Sequence, residues 1–302
     1  MLERARVIGW FFQSLSGIAG LIIVSMVVII LGNIAQHGAG ALSWTFITRA
    51  PEAGMTKGGI FPAIFGTAAL VILMTIAAIP LGVATAVYMH EYAPRRSRLV
   101  HLVRLAIQNL AGVPAIVFGL FGLGFFVEFV GRGIDRALYG GRLLYGQPAI
   151  IWAALTMALL TLPTVVVATE EALRAIPHSY REVAYSLGAT RWQVIRRVVL
   201  PQAVGGILTG GILAISRGSG EVAPVMFTGA AYFLPDLPTR LHDQFMELGY
   251  HVYVMTTQSP DVEATKPILY GTVLILLALT FALNFTAIMI RARIRSRLRY
   301  GR

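Results

Sequence analysis

The sequence predicts an all-α polytopic membrane protein with six transmembrane helices, and three observations carry that expectation. Of its 302 residues, 56% are hydrophobic and only 13% are charged, about half the charged share of an ordinary soluble domain, and the mean hydropathy is +0.71. Six stretches, 7–31, 60–89, 105–130, 149–168, 203–224 and 268–290, reach the roughly 20 apolar residues that a hydrocarbon core requires. Of the 25 lysines and arginines, 17 fall on one side when connections between stretches are assigned alternately.

The N-terminus is basic through Arg4 and Arg6, and the apolar run behind it is of spanning length without a small-residue cleavage site. It reads as a retained first helix, so residues 1–59 comprise one span and its first external segment. Residues 60–290 carry the remaining five spans, and 291–302 form a basic tail. Pro62, Pro80, Pro114 and Pro163 lie in or near the ends of spans, where kinks are expected and neighbouring helices re-satisfy the freed backbone groups.

Orientation follows from the basic residues. The richer side holds Arg4 and Arg6, then Arg95, Arg96, Arg98 and Arg104, then Arg174, Arg181, Arg191, Arg196 and Arg197, and finally six arginines from Arg291 to Arg302. The poorer side holds Arg49, Lys57, Arg132, Arg136, Arg142, Arg240 and Lys266. Both termini and the connection at 169–202 are therefore expected in the cytoplasm, the chain crossing a cytoplasmic (inner) membrane. The external segments 32–59, 131–148 and 225–267 carry Trp44, Tyr232, Tyr250 and Tyr253 as interface anchors.

Several functions are excluded. The sequence has no cysteine, which rules out disulfides, thiolate chemistry and cysteine metal sites. No G-x-x-x-x-G-K-[ST] loop occurs and the lysines are Lys57 and Lys266, so the chain is not its own P-loop ATPase. Glu170 and Glu171 read as a solvated helix face, with His178 nearby and no nucleophile constellation. His37, His90, His101, His242 and His251 have no metal-ligand spacing, so no metal is expected. The net charge of +11 would suggest nucleic acid on a soluble protein; here its distribution across the membrane accounts for it, and no nucleic-acid partner is expected.

The connection after the fourth span contains HSYREVAYSLGATRWQVIRRVVLP, residues 178–201. Ser179 precedes Glu182 by three residues and Thr190 precedes Gln193 by three, so each of two short helices is expected to open with a capping box. Gly188 falls where the first helix should end, and Pro201 soon after the second. A helical hairpin with arginines could read DNA, but apolar spans on both sides leave no room for a small three-helix core. Glu182, Val183, Ala184, Gly188, Leu200 and Pro201 fit the pattern E-A-A, three residues, G, nine residues, I-x-L-P, with Val183 and Val198 as departures. This resembles the cytoplasmic loop of ABC importer permeases. The resemblance implies a type I (MetI-like) permease fold, with 169–202 as the element that couples to a separate ATPase.

In the fifth span stands the run RGSGEVAP, from Arg217 to Pro224. A charge in a membrane interior costs a few kcal/mol and calls for a partner and water. Arg217 and Glu221 are four apart, hence expected on one helix face as a pair. Arg217 is 16 residues beyond Pro201, ~24 Å of helix, which places it past the midplane. Gly218 and Gly220 clear space beside the pair, and Ser219 adds a hydroxyl. A guanidinium offers forked donors to an oxyanion, so the pair reads either as part of an anion pathway or as a structural lock. Gly206 and Gly210 read as helix packing, and Gln108 and Asn109 as inter-helix or interface amides.

The residues Arg217, Gly220, Glu221, Ala223 and Pro224 resemble those of the PstA-type permeases of phosphate ABC importers. So do NLAGVPAIVFGLFGL from Asn109 to Leu123, the IFPAI run at Ile60, PLG at Pro80 and EYAP from Glu91 to Pro94. Val222 stands where threonine is common in that group. The resemblance implies a permease that translocates inorganic phosphate, with Arg217 and Glu221 implicated in transport. Implied partners are a second, PstC-like permease, two ABC ATPases that bind ATP and Mg²⁺, and an external phosphate-binding protein. The chain itself would hold no cofactor, and its other neighbour is membrane lipid. Charge geometry alone suits sulfate, molybdate or a phosphonate equally, and an ion-coupled secondary anion transporter is the other class, with Glu221 and Glu128 as its available carboxylates.

Overall fold

A computed structural model describes residues 2–52, 57–94, 97–259 and 262–300. Met1, Arg95, Arg96 and Arg302, the arginines among them counted in the charge asymmetry, lie outside the described residues.

Apolar length organises the chain. Among the described residues, six helical stretches are long and apolar enough to cross a membrane: Gly9–Ala41, Phe61–Tyr92, Ala115–Leu138, Ile150–Arg174, Arg191–Gly218 and Thr265–Arg297. The first comprises α1 (Leu2–Gly38) and a short 3₁₀ turn, and the last belongs to α13 (Val262–Tyr300). Between α1 and the second span lie α2 (Trp44–Thr48) and a two-stranded antiparallel hairpin, β1 (Pro51–Glu52) against β2 (Lys57–Gly58).

The centre is α3 (Phe61–Val87) packed on α7 (Ile150–Arg174). Leu70, Val71, Met74 and Ala78 meet Ala153, Ala154, Met157 and Ala158 in one buried cluster, closed by Val225 and Phe245. Small side chains bring the two backbones close, so packing here rests on van der Waals fit. α7 is the most enclosed span, whereas the apolar windows of α1 and α13 are unburied and face outward.

The third span departs from expectation. It begins at Ala115, and residues 98–110 form a separate amphipathic helix, α4 (Arg98–Leu110). Pro114 lacks a backbone donor and forces Val113 out of helical geometry, so α4 stops and α5 (Ala115–Phe121) starts afresh. α4 packs Val100 and Ile107 against Ala86, Met89 and Val166, leaving Gln108 and Asn109 exposed on it and outside the span. α5 continues through wide π-type turns (Gly122–Gly131) into α6 (Arg132–Leu138). The loop that follows folds back because buried Asp135 accepts from the backbone N–H of Leu144, Tyr145 and Gly146 at 3.0, 2.9 and 2.7 Å.

Candidate functional site

Two places matter: the helical hairpin at one end of the bundle and the charged turn within it. The first hairpin helix is α8 (His178–Ser186). Pro177 is its N-cap residue, so Ser179 sits inside the first turn and its expected capping box does not form. Gly188 does end the helix: at φ 80° it occupies the left-handed region. Gly188 N–H donates to Tyr185 O at 2.9 Å and Ala189 N–H to Ala184 O at 3.1 Å, a Schellman motif. The second helix opens with the expected box, Thr190 accepting from Gln193 N–H while the Gln193 side chain accepts from Thr190 N–H at 2.8 Å.

The second hairpin helix is not short. α9 (Arg191–Val194) passes through π-type turns (Ile195–Val199) into α10 (Leu200–Gly218), and Pro201 lies within this unbroken stretch. A proline inside an α-helix clashes with the carbonyl four residues back and leaves it without a donor; a widened turn just ahead relieves both. One helix of 28 residues therefore joins the hairpin to Arg217. Gly206 and Gly210, on α10, press against Ala172 and Ala168 of α7, so this pair serves packing within the chain.

Arg181 fastens the hairpin to the bundle. It is 8% exposed, and its Nη2 lies 2.6 Å from Glu91 Oε1 just beyond α3. Its Nη1 and Nη2 also donate to the carbonyls of Ile176 and Leu173 at 3.0 and 3.2 Å, at the end of α7 where backbone donors run out. Arg191 donates to the Glu91 carbonyl and lies over the Tyr92 ring, 4.9 Å from its centroid. Glu170 is corrected as well: it is buried and pairs with Arg104 at 2.9 Å, while Glu171 is exposed. These pairs bridge 90 and 66 residues, and no local pattern announces them.

The outer face of the hairpin is open. Glu182 and Gly188 are exposed, and Val183, Leu187, Tyr180 and Trp192 present apolar surface at 62, 83, 47 and 56%. Ala184, Leu200 and Pro201 are partly covered, Ala184 packing on Leu173 and Val194.

Arg217 occupies the last turn of α10, and the helix breaks at Gly218, ahead of the predicted end at 224. Glu221 thus stands in the non-helical turn before α11 (Ala223–Thr228) and does not share a helix face with Arg217. Arg217 Nε and Glu221 Oε1 are 3.6 Å apart, an ion pair too long for a hydrogen bond. Gly218 abuts Met74, midway along α3, and Met157 of α7. Gly220 is exposed with open space at its Cβ position, so the room is on the Glu221 side. Ser219 is buried and its hydroxyl donates to the Ser216 carbonyl at 3.2 Å. Ser216, Arg217 and Gly220 face away from the chain's own core.

Behind this turn lies a feature the sequence did not reveal. Gly249 of α12 (Leu248–Thr257) stands against Val222: a Cβ at Gly249 would sit 2.9 Å from Val222 Cγ2. Glu247, 3% exposed, caps α12 by accepting from Gly249 and Tyr250 N–H at 2.8 and 2.6 Å. Burial pushes its carboxyl up from 4.5 to about 7, outweighing those donors. His251, 2% exposed, has no partner at either ring nitrogen among the described residues, and burial lowers it from 6.5 to about 4. A glutamate just ahead of a helical run was the signal available for the cap.

The two groups oppose each other in pH. Glu247 contributes stability below pH 4.5 that is lost as pH rises through about 7. His251 contributes stability above pH 6.5 that is lost as pH falls through about 4. Thermal unfolding of the detergent-solubilised chain should therefore change little between pH 4.5 and 6.5. Glu247→Gln should expose the histidine slope, stability rising with pH over that window by on the order of 3 kcal/mol. A Glu247→Gln profile parallel to wild type would show that the carboxyl does not hold its proton.

The chain from 78 to 300 matches the family model for the binding-protein-dependent transport system inner membrane component. It is 33% identical over 262 residues to a probable ABC transporter permease, YqgI, of Bacillus subtilis, covering 82% of this chain and 84% of that protein. Over 248 residues it is 32% identical to the phosphate transport system permease PstA 1 of Mycobacterium tuberculosis, covering 82% of this chain and 75% of that one. The PstA of Xylella fastidiosa is 33% identical over 228 residues, covering 76% and 74%. Among solved structures, a bacterial ABC transporter for import of the acidic polysaccharide alginate superposes with a TM-score of 0.68 at 15% identity, covering 94% of this chain and 96% of that one. The MetNI methionine transporter, in an inward-facing conformation, gives 0.56 at 16% identity over 77% of this chain and 94% of that one. These likenesses rule out the ion-coupled secondary transporter and fix the fold as the MetI-like one. The chain belongs to the binding-protein-dependent transport system inner membrane component family and is a multi-pass ABC importer permease subunit, not an enzyme.

Proposed function

We propose that this permease carries inorganic phosphate across the cytoplasmic membrane, driven by ATP hydrolysis on a separate subunit. The observation that carries the reading is the similarity to PstA permeases over about four-fifths of the chain, 82% for the mycobacterial protein. Arg217 supports it physically: a permanent forked cation within the bundle, on a face the chain leaves open.

In this reading the hairpin end is cytoplasmic, as are both termini. Tyr180, Val183, Leu187 and Trp192 dock into one of two ATPase subunits, which bind ATP and Mg²⁺; the chain itself needs no cofactor. A second, PstC-like permease covers the face bearing Arg217, and an external binding protein delivers phosphate. When the ATPases close, the hairpin moves with them. Because α9 and α10 are one unbroken helix, that displacement reaches Arg217 along ~39 Å of helix. The spans then exchange inward- and outward-open arrangements, a two-state rearrangement.

The test is ATP-dependent uptake by the reconstituted complex of permeases, ATPases and binding protein. Labelled phosphate should accumulate inside proteoliposomes and labelled sulfate should not. Uptake of sulfate in preference to phosphate would overturn the phosphate assignment while leaving the permease class intact.

A further inference from the structure

The mechanism makes no use of a groove of about 440 Å³ between the start of α10 and the end of α13, lined by Pro201, Gln202, Gly205, Thr209, Arg291 and Arg295. The two arginines are four apart and so share one helix face. Neither makes an ion pair among the described residues, so both guanidiniums are open to an anion. Arg291 is only partly exposed and directly follows the last apolar run. Guanidiniums at a membrane boundary attract anionic headgroups. On the facing helix Gly205 leaves open space at its Cβ position, while Thr209 turns its hydroxyl to the Gly205 carbonyl at 2.7 Å. The groove is therefore cationic at its outer end and free of unsatisfied polar side chains deeper in the span.

We propose that this groove holds one anionic phospholipid, its phosphate between Arg291 and Arg295 and an acyl chain along Gly205 and Thr209. A forked pair of guanidiniums matches a phosphodiester. A hydrated free anion suits the outer end but gains nothing from the apolar depth. The bound lipid would brace α13 against the helix that joins the hairpin to Arg217.

Native mass spectrometry of the full chain, released from mixed phosphatidylglycerol and phosphatidylcholine nanodiscs, tests this. Wild type should retain one phosphatidylglycerol in preference to phosphatidylcholine. Arg291→Gln with Arg295→Gln should reduce that retention roughly tenfold or more, and Gly205→Leu, which fills the groove, should do the same. Arg293→Gln with Arg297→Gln removes equal charge from the opposite face of α13 and should retain the lipid. Equal loss in that control pair would reduce the effect to general surface charge and overturn the site. So would equal retention of both lipids, or displacement of the bound species by millimolar inorganic phosphate, which would make the groove a free-anion site.

Discussion

Replacing Arg181 by methionine is expected to destabilise the folded chain by about 3–5 kcal/mol, the usual consequence of removing one partner from a buried ion pair. Arg181 and Glu91 have side-chain exposures of 9% each and meet at 2.6 Å. Methionine would leave the Glu91 carboxylate buried without its counter-ion and remove the guanidinium donors to the Leu173 and Ile176 carbonyls. Lysine should not rescue, because one ammonium cannot span a carboxylate and two separate carbonyls as a fork does. The double change Arg181→Met with Glu91→Gln should recover part of the loss, since no buried charge remains. The readout is thermal unfolding of the solubilised chain, followed by Trp192 fluorescence where the hairpin detaches first. A single variant within about 1 kcal/mol of wild type would mean that the clamp contributes no more than a surface pair.

Arg217→Gln should lower ATP-dependent uptake by roughly ten- to a hundredfold, the scale of a charge-assisted hydrogen bond lost from an anion. Assembly with the ATPases should be unchanged, because Arg217 is at the opposite end of its helix from the docking face. Arg217→Lys should retain part of the activity, keeping the charge without the fork. The variant that separates the two readings of the pair is Arg217→Gln with Glu221→Gln. If Arg217 serves the pathway, the double variant stays inactive; recovery of uptake would show that the 3.6 Å pair only locks the structure.

Together these variants probe two ends of one mechanical unit. Arg181 holds the hairpin to α3 and α7, so under the proposed function force from a docked ATPase would enter a braced element. The unbroken helix would then deliver it to the turn at Gly218, where the backbone leaves helical geometry.

Much of this protein was legible in its sequence for simple reasons. Apolar stretches of spanning length identify themselves, because lipid demands them. Gly188 announced its turn, since a left-handed residue at a helix end favours glycine, and Thr190 with Gln193 announced their box, since both donors are local. The motif around Glu182 and Gly188 and the run from Arg217 to Pro224 pointed to the permease class that the family match bears out. What escaped were decisions made by competition or at a distance. Ser179 lost its cap to Pro177, two residues of register away; Pro114 turned an expected span into two helices; and π-type turns carried a helix through Pro201, ahead of which local rules placed its end. Glu91 with Arg181, Arg104 with Glu170, and Glu247 behind Val222 are brought together only by packing of helices far apart in the chain. Sequence alone thus determined the membrane spans and the hairpin, because hydropathy and capping act within a few residues, and the resemblance of its motifs gave the class of machine. Only the tertiary structure decided how the hairpin is clamped and joined to Arg217, because pairing of buried charges depends on which helices pack side by side.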